Sequence, residues 1–181
     1  MTLSQKKILL FVIVMLGIGG VAWIFLFEDR TPRTPFPAIG SYAENFSLTD
    51  LKDGRAISLA EFRHKKILLL NFWASWSRFS ATEMPDMATL QTEFGNDLVI
   101  LAVNRAEFEN VAERFARDRG VYDAYPLLLD PDDAVFKQYG GFAMPTSFFI
   151  DKRGIIRSTS FGPLTLEEMR ERTRAILNPK P

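Results

Sequence analysis

Apolar residues follow two different patterns along this chain. Residues 8–27 read ILLFVIVMLGIGGVAWIFLF, twenty positions without a charge. As a helix they would reach about 30 Å, the thickness of a bilayer's hydrocarbon core. Beyond residue 40 the apolar runs are short and punctuated by turn residues. Asp53-Gly54, between residues 46–48 and 57–59, predicts a hairpin. Residues 67–72 (ILLLNF) and 98–103 (LVILAV) are unbroken apolar runs, as in strands covered on both faces. Met84, Met87, Leu90 and Phe94 recur at helical spacing within residues 80–94; Phe108, Val111, Ala112 and Phe115 do so in a second helix ending near Gly120. A short strand at 127–129, a short helix at 134–139 and a hairpin of 146–150 with 155–160 follow. Thr165 and Glu168 form a capping box for a last helix through Leu177. The order hairpin-β-α-β-α-β-α-β-β-α implies an α/β fold, a mixed central sheet flanked by helices.

Charge sets the expected topology. Lys6 and Lys7 precede the apolar span, and Glu28, Asp29 and Arg30 follow it. The positive-inside rule then puts residues 1–7 in the cytoplasm and everything after residue 27 outside it, on a single-pass transmembrane signal anchor. The competing reading is a cleaved signal peptide, but the stretch is long and runs out through Trp23, Phe25 and Phe27 without a small-x-small site. Residues 28–40 include three prolines and read as a stiff linker, residues 41–178 as the folded domain, and 179–181 as a tail. Twenty-two basic residues balance twenty-two acidic ones, with no basic stripe, so nucleic acid is not an expected partner.

Composition also removes chemistry. The chain has no cysteine and one histidine, His64. Disulfides, thiolate metal sites and lipidation through cysteine are therefore excluded. No metal and no cofactor are expected: Asp130-Pro-Asp-Asp133 lacks the glycine and distal glutamate of a calcium loop and reads as a turn with a helix cap. Arg114, Arg117 and Arg119 read as a solvated helix face.

Functional expectation centres on the turn after the first long strand, Asn71-Phe-Trp-Ala-Ser-Trp-Ser77-Arg78-Phe79-Ser80-Ala-Thr-Glu-Met-Pro85. This segment resembles the signature of the TlpA/ResA (CcmG-type) family of membrane-anchored thioredoxin-fold proteins, NFWA-x-WC-x-x-C followed by E-x-P. Phe72, Trp73, Ala74, Trp76, Glu83 and Pro85 fit it, and Ser77 and Ser80 stand where its two cysteines belong. Residues 43–46 with Asp53-Gly54 resemble the family's entry hairpin, residues 103–107 its VN-x-x-E segment, and Met144-Pro145-Thr146 its cis-proline loop. The resemblance implies a thioredoxin-like fold and, for the family, thiol-disulfide oxidoreductase activity.

That activity needs a thiolate to attack and a second thiol to resolve the mixed disulfide. A hydroxyl has no S–S couple, so this sequence holds no intact catalytic pair; Ser77 and Ser80 are degenerate redox positions and Glu107 a relic acid. A hydrolytic Ser77 is not expected: His64 precedes the strand and belongs near its other end, and Glu107, the conceivable base, has no third group to orient it. Both serines read as thiol replacements able to cap the helix. What the family's site retains is its binding face: Trp76, Phe79, Phe142, Met144 and Pro145, flanked by Arg78. In the family the proline loop pairs with extended substrate segments, which needs no cysteine. The leading expectation is a non-catalytic binding or scaffold module whose partner is an exported or membrane protein or an extended peptide segment. Two alternatives stay open: an oxidoreductase whose CxxC was mutated to SxxS, and a fixed subunit of a membrane complex.

Overall fold

The computed structural model describes residues 36–179. The expected anchor at residues 8–27 lies outside the described residues, among which no helix is long and apolar enough to cross a membrane. Strands β1 (Ser47–Asp50) and β2 (Ala56–Ser58) form the entry hairpin, followed by a 3-10 turn at Leu59–Phe62. Then come β3 (Ile67–Trp73), α1 (Arg78–Phe94), β4 (Leu98–Arg105), α2 (Glu109–Asp118), β5 (Leu127–Asp130), α3 (Ala134–Gln138), β6 (Thr146–Ile150), β7 (Ile156–Phe161) and α4 (Leu166–Leu177). The succession of strands and helices is the expected one, and the fold is a thioredoxin-like α/β sheet.

One seven-stranded sheet runs in the order β2-β1-β5-β4-β3-β6-β7. β3 pairs parallel with β4, and β4 with β5, while β6 and β7 turn antiparallel on the other side of β3. The apolar run of β3 divides by the two-residue period of a strand. Ile67, Leu69 and Trp73 join Met84, Met87 and Leu90 of α1, Ala112 and Ala116 of α2 and Met169 of α4. Leu68, Leu70 and Phe72 face the other way, onto the entry hairpin, Val135 and Phe136 of α3, and Tyr139. A strand buried on both faces can hold no side chain without a partner surface, which is why this run carries no charge.

Local signals account for the element ends. The capping box of α4 forms, with the Thr165 hydroxyl accepting from the Glu168 N–H and the Glu168 carboxylate from the Thr165 N–H at 2.8 Å. The carboxylate of Asp130 accepts from the N–H groups of Ala134, Val135 and Phe136, anchoring α3, while Asp133 pairs with Arg105. The second hairpin closes through Gly154, at φ 85°.

One segment behaves differently from its reading as a spacer. The Gly40 N–H donates to the Ile156 carbonyl at 2.8 Å, the Ile156 N–H donates to the Ser41 carbonyl at 2.9 Å, and Tyr42 bridges to Ile155. Phe36 packs on Phe142 and Phe161, with ring centroids 4.9 and 4.7 Å away. Backbone partners and a ring contact therefore hold residues 36–42 along the outer edge of β7, although nothing in their composition signals a strand.

Candidate functional site

Parallel pairing of β3 and β4 brings the turn after Trp73 next to the turn after Arg105. Antiparallel pairing of Phe72 with Thr146 brings the loop before β6 to the same end of the sheet. Three segments far apart in sequence thus meet where α1 begins.

Ser77 is the N-cap of α1. Its backbone is extended (φ −84°, ψ 111°) and its hydroxyl accepts from the Ser80 N–H at 3.3 Å. That satisfies one of the donors a helix start leaves unpaired. Ser80 caps nothing, contrary to the expectation for both serines. It lies one turn inside α1, fully buried, and its hydroxyl has no protein partner within hydrogen-bond reach. A pocket that encloses a hydroxyl without offering it a partner suits a less polar group better.

Beneath these serines lies a buried polar layer. Glu83, on the next turn of α1, accepts from the Leu164 N–H at 3.0 Å and from the Asn71 side-chain amide at 3.1 Å. The same amide donates to the Ser147 hydroxyl at 2.9 Å. Glu83 thereby links α1, β3, β6 and the approach to α4. Burial pushes its carboxyl up to about 7; the two hydrogen bonds oppose that rise, and the nearby Asp86 carboxylate adds a smaller upward push. Glu83 entered the sequence reading only as a signature position. Its partners come from segments that the sequence does not place beside it.

Glu107 holds the turn from the other side. One carboxylate oxygen accepts from the Ser75 N–H at 2.8 Å and the Asn104 side-chain amide at 2.7 Å, the other from the Ser75 hydroxyl at 2.5 Å. With three donors on two oxygens, Glu107 acts as a clip that fixes the Ser75–Trp76 backbone. His64 lies at the opposite end of β3, where its N–H donates to the Lys152 carbonyl.

The third segment carries the Met144–Pro145 peptide, which is cis. The Pro145 carbonyl accepts from the Gly162 N–H and the Ala143 carbonyl from the Thr146 hydroxyl, so the loop is pinned to the start of β6 and the end of β7. Met144 is half-buried against the core cluster under α3. Around this centre the surface is aromatic: Trp76 is 65% exposed, Phe142 68% and Phe108 83%, with Phe79, Phe161 and Phe36 also exposed. The Arg78 guanidinium lies 4.7 Å from the centre of the Phe79 ring. Phe36 and Phe161 were not singled out in the sequence; Phe108 was read there as part of a helix face with Val111, Ala112 and Phe115, but it stands just before α2 as its N-cap residue and its ring is exposed.

The exposed rings form a rim around the turn. A groove of about 1010 Å³ lies elsewhere, between α4 and the Asp151–Arg153 turn at the far end of the sheet. The rim can offer ring faces and loop backbone to a partner, and its paired hydroxyls cannot carry electrons between disulfides.

Comparison with known proteins bears on what this arrangement descends from. The AhpC/TSA family pattern matches residues 39–159. The thiol-disulfide oxidoreductase ResA of Geobacillus thermodenitrificans is 33% identical over 96% of this chain and 97% of its own length. The thioredoxin-like protein YneN of Bacillus subtilis is 30% identical over 92% and 96% respectively. Among solved structures, a thiol:disulfide interchange protein of the thioredoxin family from Chlorobium tepidum superposes with a TM-score of 0.68 at 24% identity, covering 78% of this chain and 99% of that one. That likeness speaks to the fold alone. With the fold, the turn and the cis-proline loop in place around two serines, the chain belongs to the AhpC/TSA family and, within it, to the ResA-like thioredoxin-fold proteins, while carrying no cysteine.

Proposed function

We propose that this protein is a membrane-tethered, extracytoplasmic thioredoxin-like module that binds a partner segment at the former redox face and performs no disulfide exchange. The observation that carries this reading is the contrast between frame and centre. The N-cap, the Glu107 clip, the buried Glu83 layer and the cis-proline loop are all built, yet the two positions between them are hydroxyls. A frame kept around a chemically silent centre supports retention of the face for binding. Trp76, Arg78, Phe79, Phe142, Met144 and Pro145 form that face, and an extended segment of an exported or membrane protein is the partner class it suits. Residues 8–27 supply the tether, with the domain outside the cytoplasmic membrane.

The test places a photocrosslinking residue at position 79 of the full-length chain in intact cells. Capture of a defined partner is expected, with loss of capture on Phe142→Asp or Met144→Lys. Capture that persists in both variants moves the binding face elsewhere.

A second reading rests on the relatives named thiol-disulfide oxidoreductases: the frame remains competent for that chemistry once sulfur is supplied. In the S77C/S80C double variant, insulin reduction above the single-cysteine background supports it. Activity no greater than that background discards it.

A further inference from the structure

Of the eight large hydrophobic residues exposed among the described residues, six lie at one end of the sheet. Trp76 follows β3 and Phe108 follows the parallel strand β4; Phe79 is on the first turn of α1. Phe142 precedes β6, Phe161 ends β7, and Phe36 packs on both of these rings. Phe142 and Phe161 are themselves 5.1 Å apart, so three of the six rings form one continuous cluster. Such a concentration of aromatic surface marks a contact with something apolar.

Acidic charge on this rim is largely engaged. Glu107 is held by Ser75 and Asn104 and Asp133 by Arg105, which leaves the exposed Glu109 beside Phe108 and the exposed Asp132 after β5. The cation Arg78 lies over Phe79 and makes no ion pair among the described residues. Aromatic rings with an adjacent guanidinium have the chemistry of a bilayer interface, where rings sit at headgroup depth and cations meet phosphate.

Chain length identifies the occupant. Phe36 belongs to the rim cluster, and only eight residues separate it from Phe27, the end of the apolar span. At about 3.3–3.6 Å per residue, even a fully extended tether holds Phe36 within about 30 Å of that end. Eight residues of sequence thus connect the apolar span to a residue of the aromatic rim.

We infer that this rim, formed by Phe36, Trp76, Phe79, Phe108, Phe142 and Phe161, docks on the lipid surface of the membrane that anchors the chain. The inference rests on the anchor reading of residues 8–27. It also narrows the proposed partner to segments that present themselves at the bilayer surface, since docking turns the cis-proline loop toward the lipid.

The test uses the full-length protein in phosphatidylcholine vesicles containing a minority of phosphatidylglycerol. A W23F background removes the tryptophan of the apolar span, leaving buried Trp73 and rim Trp76. The Trp76 signal is the emission lost between W23F and W23F/W76F. With lipids brominated near the headgroup, docking predicts loss of most of that signal, and its recovery in a W23F/F79D/F142D variant. Co-flotation with the vesicles at alkaline pH reports the anchor separately. Protein that does not float overturns the anchor reading and the docking with it. Protein that floats with unquenched Trp76 overturns docking alone. Shielding of Trp76 from aqueous quencher that appears only at high protein-to-lipid ratio assigns the rim to a second copy and likewise overturns it.

Discussion

Trp73 and Trp76 stand three residues apart on either side of the same turn and occupy opposite environments. Trp73 is fully buried and its ring stacks on Phe115, centroids 5.4 Å apart and planes 22° from parallel. Trp76 is 65% exposed beyond the Glu107 clip. One ring holds the sheet to α2; the other contributes apolar surface to water. Large apolar side chains in both places mean that the turn separates a buried packing ring from an exposed one within a few residues. The sharpest way to break this contrast is Trp73→Ala. Removing a fully buried indole leaves a cavity under the site and is expected to cost about 3–5 kcal/mol. Urea unfolding followed by far-UV circular dichroism measures it. A loss below about 1 kcal/mol would mean that Trp73 is not a core residue.

The two carboxylates of the site repeat the contrast. Glu107 meets three donors at the rim, whereas Glu83 is buried with its carboxyl raised from an ordinary 4.5 to about 7. An acid whose folded-state pKa lies above its unfolded value holds its proton more tightly in the fold. Its stabilising contribution is therefore complete below about pH 4.5 and disappears as pH rises through about 7. The shift corresponds to roughly 3 kcal/mol across that window. Stability is expected to fall between pH 5 and pH 8 in the native chain and to change much less in Glu83→Gln, which keeps a carbonyl oxygen for the Leu164 N–H. Parallel slopes for the two proteins would show that another group controls the pH dependence.

How much of this was legible follows from the range of each interaction. Strand β3 and helix α1 could be read because their patterns are local: an unbroken apolar run, then apolar residues at helical spacing. Thr165 and Glu168 were legible as a capping box for the same reason. The Glu83 layer was not, because Leu164 and Ser147 reach it from 81 and 64 positions away in the chain, and no local rule places them there. Residues 36–40 were hidden by prolines that signal a spacer, although the edge of β7 supplies a backbone partner for Gly40. Trp76 and the Met144–Pro145 loop were legible through the family motif, whereas Phe79 occupies one of its variable positions. Phe36 and Phe161 carry no local signal, and Phe108 shares the helical spacing of Val111, Ala112 and Phe115 yet stands outside α2 with its ring exposed.

Ser80 and Ser77 provide a finer version of the same comparison, one inside the fold and one at its margin. Ser80→Cys replaces an unpartnered buried hydroxyl by a thiol that loses less on leaving water, and is expected to raise stability by about 1–2 kcal/mol. An unchanged unfolding midpoint would show that the Ser80 hydroxyl is satisfied after all. Ser77→Ala removes the N-cap acceptor of the Ser80 N–H and should lower stability by about 1 kcal/mol.

The smallest effect on stability separates the two tryptophans completely. Trp76→Ala removes a ring with most of its surface already in water and no stacking partner among the described residues, so unfolding should shift by less than about 0.5 kcal/mol. Crosslinked partner capture, by contrast, should fall sharply. A variant that loses stability without losing capture would make Trp76 an ordinary packing residue. One that keeps its stability and loses capture assigns the exposed indole to recognition, as the rim's surplus of aromatic surface requires.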